Sequence, residues 1–405
     1  MTTRFPEKRI DIIHAGQDGE TSRSMLYRYQ NDILDKGATE AFVMFGTNDA
    51  NYGLYPDGLA ANKAASIESA VENIGGLINK LQGDGIENIT LMTTPTYDER
   101  AYSSATTHTG FAAATTTLSG RLKNIATEEG LKIVDVNSAT AAITEAVYDS
   151  IEEEIYQPDR IHPNKRGHFV IANEIIKTLY ADYGLVASVE VDKTAQSIDA
   201  ENANVSDLVI DGNTVTYTYN PKSIPMGVDS KVTTASSYHS GYAEAEARYP
   251  EFVNFTDTMN REIIKVTGLT AGDYDVSFDD VLIGTFTASE LAVGVNIAIL
   301  ANNPGQIKAK AIVDAEFNLY WTKSRIRSVE RGIATLKDNN MYYGKTFAEM
   351  KAWIEENYKN TSSWDGFLTY FEEYDNYVES MKNCQKNNYV LAKPGTYTVK
   401  VTPAV

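Results

Sequence analysis

The chain has 405 residues, a composition that is 42% hydrophobic, a single cysteine and a formal net charge of −19. This length predicts two or three domains, and this composition is typical of a globular protein with a sizeable core. So acidic a surface repels phosphate backbones and anionic membranes, which argues against nucleic-acid binding, and one cysteine cannot form a disulfide within the chain.

The first part of the chain alternates short apolar strands with helices. Strands are predicted at residues 9–15, 41–45, 88–93 and 131–136, and helices at residues 21–36, 59–82, 118–129 and 164–183. Such alternation predicts a parallel sheet joined by right-handed crossovers and covered by helices, forming an α/β domain over residues 1–185. In such sheets the functional groups gather at the carboxyl ends of the strands.

The pattern changes after residue 185. Strands separated by glycine and aspartate turns are predicted at 186–191, 205–219, 263–266, 274–278 and 281–286, and they indicate a β module over residues 186–302. Helices are predicted at 304–338, 346–358 and 363–386, and they form a helical insertion over residues 303–387 that we expect to lean over the cleft of the first domain.

Two segments of this second part need separate predictions. Residues 388–405 are predicted to form a β-hairpin that closes the β module, with strands at 389–391 and 396–401 around Lys393-Pro394-Gly395. Residues 220–260 are predicted to form a long loop.

Neither a membrane segment nor a cofactor is expected. No apolar run approaches transmembrane length, and the residues after Met1 are polar and do not form a signal peptide, so export would require a signal peptide upstream of Met1. His14, His108 and His239 have no partners at metal-ligand spacing, so no metal is expected. The sequence leaves the compartment and the oligomeric state open.

Two motifs follow predicted strands. The first strand runs into Gly16-Gln17-Asp18-Gly19-Glu20, where glycine allows backbone N–H groups to point into a site at the start of a helix. The second runs into Gly46-Thr47-Asn48-Asp49, where the side-chain amide of Asn48 is able to donate to an oxyanion. Each motif also has a structural explanation, because glycines and Asn-Asp pairs are common in turns.

A third motif precedes the last helix of the first domain, and it reads Asp159-Arg160-Ile161-His162-Pro163. The spacing allows Asp159 to accept a hydrogen bond from one imidazole nitrogen of His162 and leaves the other nitrogen free as a general base. An isolated pair at this spacing is more often a chance surface arrangement. His168, further along the same helix, is predicted to be structural.

These three motifs, in this order, resemble those of the SGNH (GDSL-like) hydrolase superfamily. The resemblance covers about residues 1–185 and implies a flavodoxin-like three-layer α/β/α fold and hydrolysis of small-molecule or carbohydrate esters. It also implies roles for the matching residues: His162 as general base, Asp159 as the group that orients it, and Gly19 and Asn48 as oxyanion donors. Residues 266–274 and 290–296 are similar to the C-terminal module of some larger bacterial members.

The chain departs from the family in the first motif, a Gly-Asp-Ser that carries the nucleophile after the first, central strand. No Gly-Asp-Ser occurs in the sequence. Ser22 and Ser24 are poor substitutes, because they follow Gly19 at a place where the family has a hydroxyl residue without a nucleophilic role. The site is therefore predicted without a nucleophile, and the sheet without its first strand.

Two hypotheses account for this departure. The chain is either an N-terminally incomplete ester hydrolase, inactive or weakly active as it stands, or a non-catalytic carbohydrate-binding or scaffold protein on a degenerate SGNH fold. The first predicts an open slot in the sheet, and the second predicts another segment in that slot. A flavodoxin-like nucleotide binder is disfavoured, because Asp18 and Glu20 place carboxylates where phosphates would lie.

Overall fold

The computed structural model describes residues 1–228 and 241–404, so His239 lies outside the described residues. It shows an α/β region, a β-sandwich and a group of helices. Within these ranges no helix is both long enough and apolar enough to cross a membrane. The same residues contain no cluster of three or more His, Cys, Asp or Glu side chains able to hold a metal ion.

The α/β region is built on a parallel sheet with helices on both faces. Its strands, in spatial order, are β1 (Glu40–Met44), β2 (Asn88–Met92) and β3 (Lys132–Val134). Its helices are α1 (Ser22–Asp32), α2 (Ala60–Gly83), α3 (Phe111–Glu128), α4 (Val136–Ala146) and α5 (Lys165–Leu179). The three-layer α/β/α architecture predicted from the sequence is therefore confirmed, and α4 is a helix that the sequence prediction missed.

The central strand β2 explains why helices cover both faces. Successive side chains of a strand point to opposite sides of the sheet. Ile89 and Leu91 are buried in a cluster with residues of α1, α2 and α3. Met92 is buried with Val134 in a separate cluster against α5. This two-sided burial is why the strand is apolar almost throughout.

The strand β1 lies at the edge of the sheet and, within the described residues, pairs only with β2. Its outward-pointing side chains Phe42 and Met44 remain 47% and 43% exposed. The strand predicted at residues 9–15 is wrong, because this segment has no regular structure. A strand needs a neighbour to bond its backbone groups; here Ile10 instead donates its N–H to the Tyr389 hydroxyl, which donates to the Ile10 carbonyl oxygen at 2.7 Å.

The β module is a sandwich of two sheets around one core. Its strands are β4 (Leu185–Asp192), β5 (Ser197–Glu201), β6 (Ala203–Asp211), β7 (Thr214–Pro221), β8 (Arg261–Thr267), β9 (Asp273–Phe278), β10 (Val281–Thr287), β11 (Val295–Asn296) and β12 (Tyr397–Pro403). One sheet has the order β10-β9-β12-β7-β6 and the other the order β11-β8-β4-β5. Three short helices interrupt the strands: α6 (Gly241–Arg248), α7 (Phe255–Met259) and α8 (Ala288–Val293). The long loop predicted at residues 220–260 is therefore wrong where α6 and α7 form.

Five further helices separate β11 from β12. They are α9 (Pro304–Asn318), α10 (Tyr320–Asp338), α11 (Phe347–Asn357), α12 (Asp365–Tyr370) and α13 (Tyr374–Leu391). Short 3-10 turns occur at Leu34–Lys36, Tyr52–Leu54, Ala181–Tyr183, Ser362–Trp364 and Phe371–Glu373. The helix predicted over residues 304–338 is thus divided at Leu319, and the helix predicted over residues 363–386 is divided near Phe371.

The predicted closing hairpin at residues 388–405 is wrong. Residues 389–391 belong to α13, and β12 is the only strand of this segment in the described chain. The helix continues because Asn388 is buried and donates to the Glu316 carboxylate at 2.7 Å. β12 then pairs with both β7 and β9, so it fills the centre of its sheet rather than an edge.

Candidate active site

The loop before α1 positions Gly19. This residue is exposed and has a φ of +71°, a left-handed conformation that favours glycine. Thr21 is the N-cap of α1 and its hydroxyl accepts from the backbone N–H of Ser24. Gly19 therefore lies directly before a helix N-terminus, where developing negative charge is favoured.

The turn after β1 places Asn48 beside this loop. Gly46 has a φ of +140°, and a Cβ there would lie 2.8 Å from the Thr94 Cβ, so only glycine lets the two strand ends approach. The hydroxyls of Thr47 and Thr94 then bond at 2.8 Å. The Asn48 amide donates to the Glu20 carbonyl oxygen at 3.1 Å, which brings Asn48 next to Gly19. An amide carries two N–H donors, so one stays available for a substrate oxygen.

Ser22 has a structural role in this turn. Its backbone N–H donates to the Asp49 carboxylate at 2.9 Å, its hydroxyl donates to the same oxygen, and its side chain is buried. Burial raises the pKa of Asp49, although the hydrogen bonds from Ser22 oppose the rise. Asp49 thus fixes the turn onto α1, and Ser22 is not exposed as a nucleophile would be.

Asp159 and His162 form a hydrogen-bonded pair in the loop before α5. Asp159 Oδ2 lies 2.7 Å from His162 Nδ1, and Asp159 Oδ1 accepts from the His162 backbone N–H at 2.9 Å. Burial alone would raise the pKa of Asp159, but the hydrogen bonds from His162 outweigh it and hold this pKa below its ordinary value. Since Nδ1 is engaged and the His162 side chain is 71% exposed, Nε2 is accessible for proton transfer.

Arg160 holds the dyad loop in place, a role that sequence reasoning missed. Its side chain is buried and donates to the Ser103 carbonyl oxygen at 3.0 Å and to the Ala105 carbonyl oxygen at 3.3 Å. These acceptors belong to the loop that follows β2, which is also braced by the fully buried Asp98–Arg100 ion pair. The dyad loop is thereby tied to the carboxyl end of the sheet, the same end that carries Asn48.

Asn164 joins the dyad loop to α5. Its side-chain oxygen caps the helix by accepting from the backbone N–H groups of Arg166 and Gly167 at 2.9 and 3.1 Å. Its amide group donates to the Glu154 carbonyl oxygen at 2.9 Å. A Cβ on Gly167 would lie 2.0 Å from the Ile155 carbonyl oxygen, so this close packing also requires glycine.

Glu154, at the start of the same loop, is held in place through its buried carboxylate. Arg248 donates to it at 2.6 Å and Ser150 at 2.7 Å, and the Tyr249 hydroxyl also donates to it. Burial alone would raise the pKa of Glu154, but these hydrogen bonds outweigh it and lower the pKa to about 2. The sequence carried no signal for this network, because Arg248 and Tyr249 lie 94 and 95 positions away from Glu154.

A groove runs along the free edge of β1 and ends at Asn48. It consists of two adjoining cavities of about 300 and 220 Å³. Both cavities are lined by Gly16, Met25, Met44 and Phe45. We call this feature the β1-edge groove. The residues that line its larger part are mainly apolar, and we call this the apolar part; more polar residues line its smaller part, which we call the polar part.

The polar part of the β1-edge groove contacts the helical group. It is lined by Gln17, Glu20 and Arg28, and in the described chain Gln17 Oε1 and Arg28 Nη2 have no hydrogen-bond partner. Arg28 shares the Asp32 carboxylate with Arg327 of α10. The helices therefore lie against the wall of this groove, whereas their expected reach over His162 stays a prediction.

The structure thus brings the predicted residues together as two pairs. Gly19 and Asn48 meet through Glu20, and Asp159 and His162 bond directly. Both pairs lie beyond the carboxyl ends of β1 and β2. A hydrogen-bonded Asp–His pair and two groups that can donate hydrogen bonds, all at the carboxyl end of one sheet, form an arrangement that is compatible with acyl transfer.

Comparison with known proteins gives a family match for the first part of the chain. Residues 2–169 match the profile of the GDSL-like Lipase/Acylhydrolase family. This region of the chain is therefore similar to that family of hydrolases.

Two solved structures and one curated protein are similar to the chain. The gut microbial diltiazem-metabolizing enzyme BT4096 covers 100% of this chain and 92% of its own, with a TM-score of 0.86 and 23% identity, a likeness of fold. Axe2, an acetylxylan esterase from Geobacillus stearothermophilus, covers 41% of this chain and 70% of its own, with a TM-score of 0.33 and 21% identity. The uncharacterized lipoprotein YqeF of Bacillus subtilis (strain 168) is 46% identical over 41 residues, 10% of this chain, and the match spans 17% of the relative's length.

Proposed function

We propose that the chain is an SGNH-type serine ester hydrolase acting on small-molecule or carbohydrate esters, and that a strand added at the free edge of β1 supplies its nucleophile. The observation that carries the proposal is the 2.7 Å contact between Asp159 and His162 Nδ1. This contact leaves His162 Nε2 exposed at the carboxyl end of the sheet, the end that also carries Asn48. The family of residues 2–169 supports ester hydrolysis as the reaction class.

In this proposal each residue has a defined role. His162 Nε2 takes the proton of the attacking serine and returns it to the leaving alcohol, while Asp159 fixes the imidazole tautomer and stabilises the imidazolium. The free N–H of the Asn48 amide and the backbone N–H of Gly19 bind the oxyanion. Losing one such donor typically raises the barrier by about 3–4 kcal/mol.

The β1-edge groove supports the added strand. The unpaired edge of β1 offers backbone N–H and C=O groups to a neighbour, and its five residues correspond to about 17 Å of strand. The apolar part of the groove suits the buried side chains of a central strand. The groove ends at Asn48, so a serine directly after such a strand would lie beside the oxyanion donors.

The proposal is tested by restoring the strand. An apolar strand ending in Gly-Asp-Ser is joined to the N-terminus through a flexible linker, and p-nitrophenyl acetate hydrolysis is measured. We expect background rates for the unmodified chain and clear turnover for the fusion, abolished by His162→Ala. The matched control is the same fusion ending in Gly-Asp-Ala, which should stay at background. Equal rates for the Ser and Ala fusions would contradict the proposal.

The second candidate function is a non-catalytic carbohydrate-binding protein on the same fold. It is favoured by one observation: within the described residues, Ser22 is buried against Asp49 and His162 has no serine partner. This function predicts sugar binding by the unmodified chain and no esterase activity in the folded Gly-Asp-Ser fusion. Turnover that depends on His162 would eliminate it.

A further inference from the structure

A cleft of about 670 Å³ lies between α9 and α13, apart from all residues assigned above to catalysis. Its volume falls within the range of small-molecule binding sites. The residues of α13 that line it with uncharged amide or hydroxyl groups are Asn376, Ser380, Asn383, Asn387 and Asn388. The side chains that line the cleft are therefore mostly uncharged, and asparagine is the most frequent residue among them.

The polar residues form a stripe along one helix face. Asn376, Ser380, Asn383 and Asn387 are spaced by four, three and four positions, which places them on the same side of α13. Asparagine is a poor helix former, so helix stability does not explain their presence. An exposed helix face of an acidic protein is ordinarily charged. A stripe of amides instead indicates contact with something that forms many hydrogen bonds.

Asn388 gives a second, independent indication. Its side chain is only 3% exposed and lines the cleft. Its amide nitrogen donates to Glu316 at 2.7 Å, and Glu316 is itself fixed by Lys323 at 2.5 Å. A carboxylate can only accept, so the carbonyl oxygen of Asn388 must point the other way, and it has no partner among the described residues. A buried acceptor without a partner is unusual unless a ligand bonds to it.

We propose that this cleft, here called the α9/α13 cleft, binds a neutral polyhydroxylated ligand, namely a carbohydrate. Side-chain amides both donate and accept hydrogen bonds, as sugar hydroxyls do. The amides of the cleft can therefore bond to the hydroxyl groups of a sugar. The charged lining residue is Glu379, which makes the cleft unsuitable for anions. Residues with apolar side chains, namely Ala315, Cys384 and Leu391, are outnumbered in the lining by residues with amide or hydroxyl groups, whereas a partner's amphipathic helix needs a continuous apolar groove.

The α9/α13 cleft would hold glycan without acting on it, so the inference is independent of the proposed hydrolase function. A glycan site elsewhere on the same chain as an esterase site raises the local concentration of a polymeric substrate. The binding test is therefore made in the His162→Ala background as well as in the unmodified chain. Equal sugar affinity in the two proteins would show that the sugar binds outside the active site. Loss of sugar binding in His162→Ala would overturn the assignment of the binding site to the cleft.

The experiment is calorimetric titration with xylohexaose and with cellohexaose. We expect binding of at least one sugar at millimolar concentration or below, and at least a tenfold weaker affinity in the double variant Asn383→Ala/Asn387→Ala. Alanine favours the helix, so this variant should fold, which its thermal unfolding will verify. The matched control is Lys382→Ala/Lys386→Ala, on exposed positions of the same helix, and it should bind as the parent does. No binding of either sugar, or equal affinity in the double variant, would overturn the inference.

Discussion

At the scale of single residues, the dyad depends on groups that never touch a substrate. His162 is oriented by Asp159, and the loop that carries both is fixed by Arg160 and by Asn164, whose amide donates to the Glu154 carbonyl oxygen. The local pair was visible in the sequence because three positions separate its members. Arg248, the partner of Glu154, is 94 positions away, so nothing in the local pattern could reveal that contact.

The Glu154 network makes a prediction about pH and stability. The pKa of Glu154 is lowered to about 2 in the folded protein, so its ion pair stabilises the fold fully at pH values above the ordinary glutamate pKa and is lost as the pH falls toward 2. We expect Glu154→Gln to lower the free energy of unfolding by about 2 kcal/mol at pH 7, with the difference shrinking steadily below about pH 4.5. Urea unfolding at a series of pH values measures this.

The matched control for this prediction is Glu152→Gln. Glu152 also pairs with Arg248, at 3.6 Å, but its side chain is exposed. Exposed pairs contribute about 0–1 kcal/mol, so this variant should unfold nearly as the parent does at every pH. If the difference in free energy of unfolding between the parent and Glu154→Gln stayed constant from pH 7 to pH 2, it would arise from packing and not from the charge of Glu154.

At the scale of elements, regular structure could be predicted where local pattern and burial agree. The apolar run at β2 and the long periodic helix α2 were both predicted because the apolar residues of each are the ones that become buried in the fold. The strand at residues 9–15 was wrongly predicted, since its apolar residues pair with no neighbouring strand. The hairpin at residues 388–405 failed for a related reason: Tyr389 and Asn388 bond to distant segments, and those contacts keep them helical.

The position of β12 leads to a prediction about the sandwich. Val401 is completely buried and pairs with both β7 and β9, so it lies in the middle of the core. We expect Val401→Ala to lower the free energy of unfolding by about 2 kcal/mol, from lost burial and the cavity left behind. Lys400→Ala, on the exposed face of the same strand, should change it by less than about 0.5 kcal/mol. Chemical unfolding followed by circular dichroism measures the free energy of unfolding of both variants. If both substitutions lowered it by a similar small amount, β12 would lie at the edge of the sheet and not at its centre.

At the scale of the whole molecule, the helical group is joined to the α/β region by charged contacts. Lys36 pairs with Glu330 at 2.7 Å, and Lys337 pairs with Asp35 at 3.6 Å. Arg327 adds a bond to the buried Asp32. Although the whole chain has a net charge of −19, α10 carries more basic than acidic side chains, so opposite charges face each other across this interface. The contacts join α1 and the 3-10 turn that follows it (Leu34–Lys36) to α10, beside the wall of the β1-edge groove.

Reversing two of these charges should therefore loosen one interface without unfolding the parts it joins. In the double variant Lys36→Glu/Lys337→Glu, like charges face Glu330 and Asp35, and we expect faster amide hydrogen exchange in α1 and α10. Exchange in the sandwich, for example in β7, should stay unchanged, because its core shares no residue with this interface. Lys351→Glu, on an exposed position of α11, is the control for added negative charge. If amide hydrogen exchange became faster to the same extent in β7 and α10, the chain would unfold as one unit. The ion pairs would then not stabilise this interface separately from the rest of the fold.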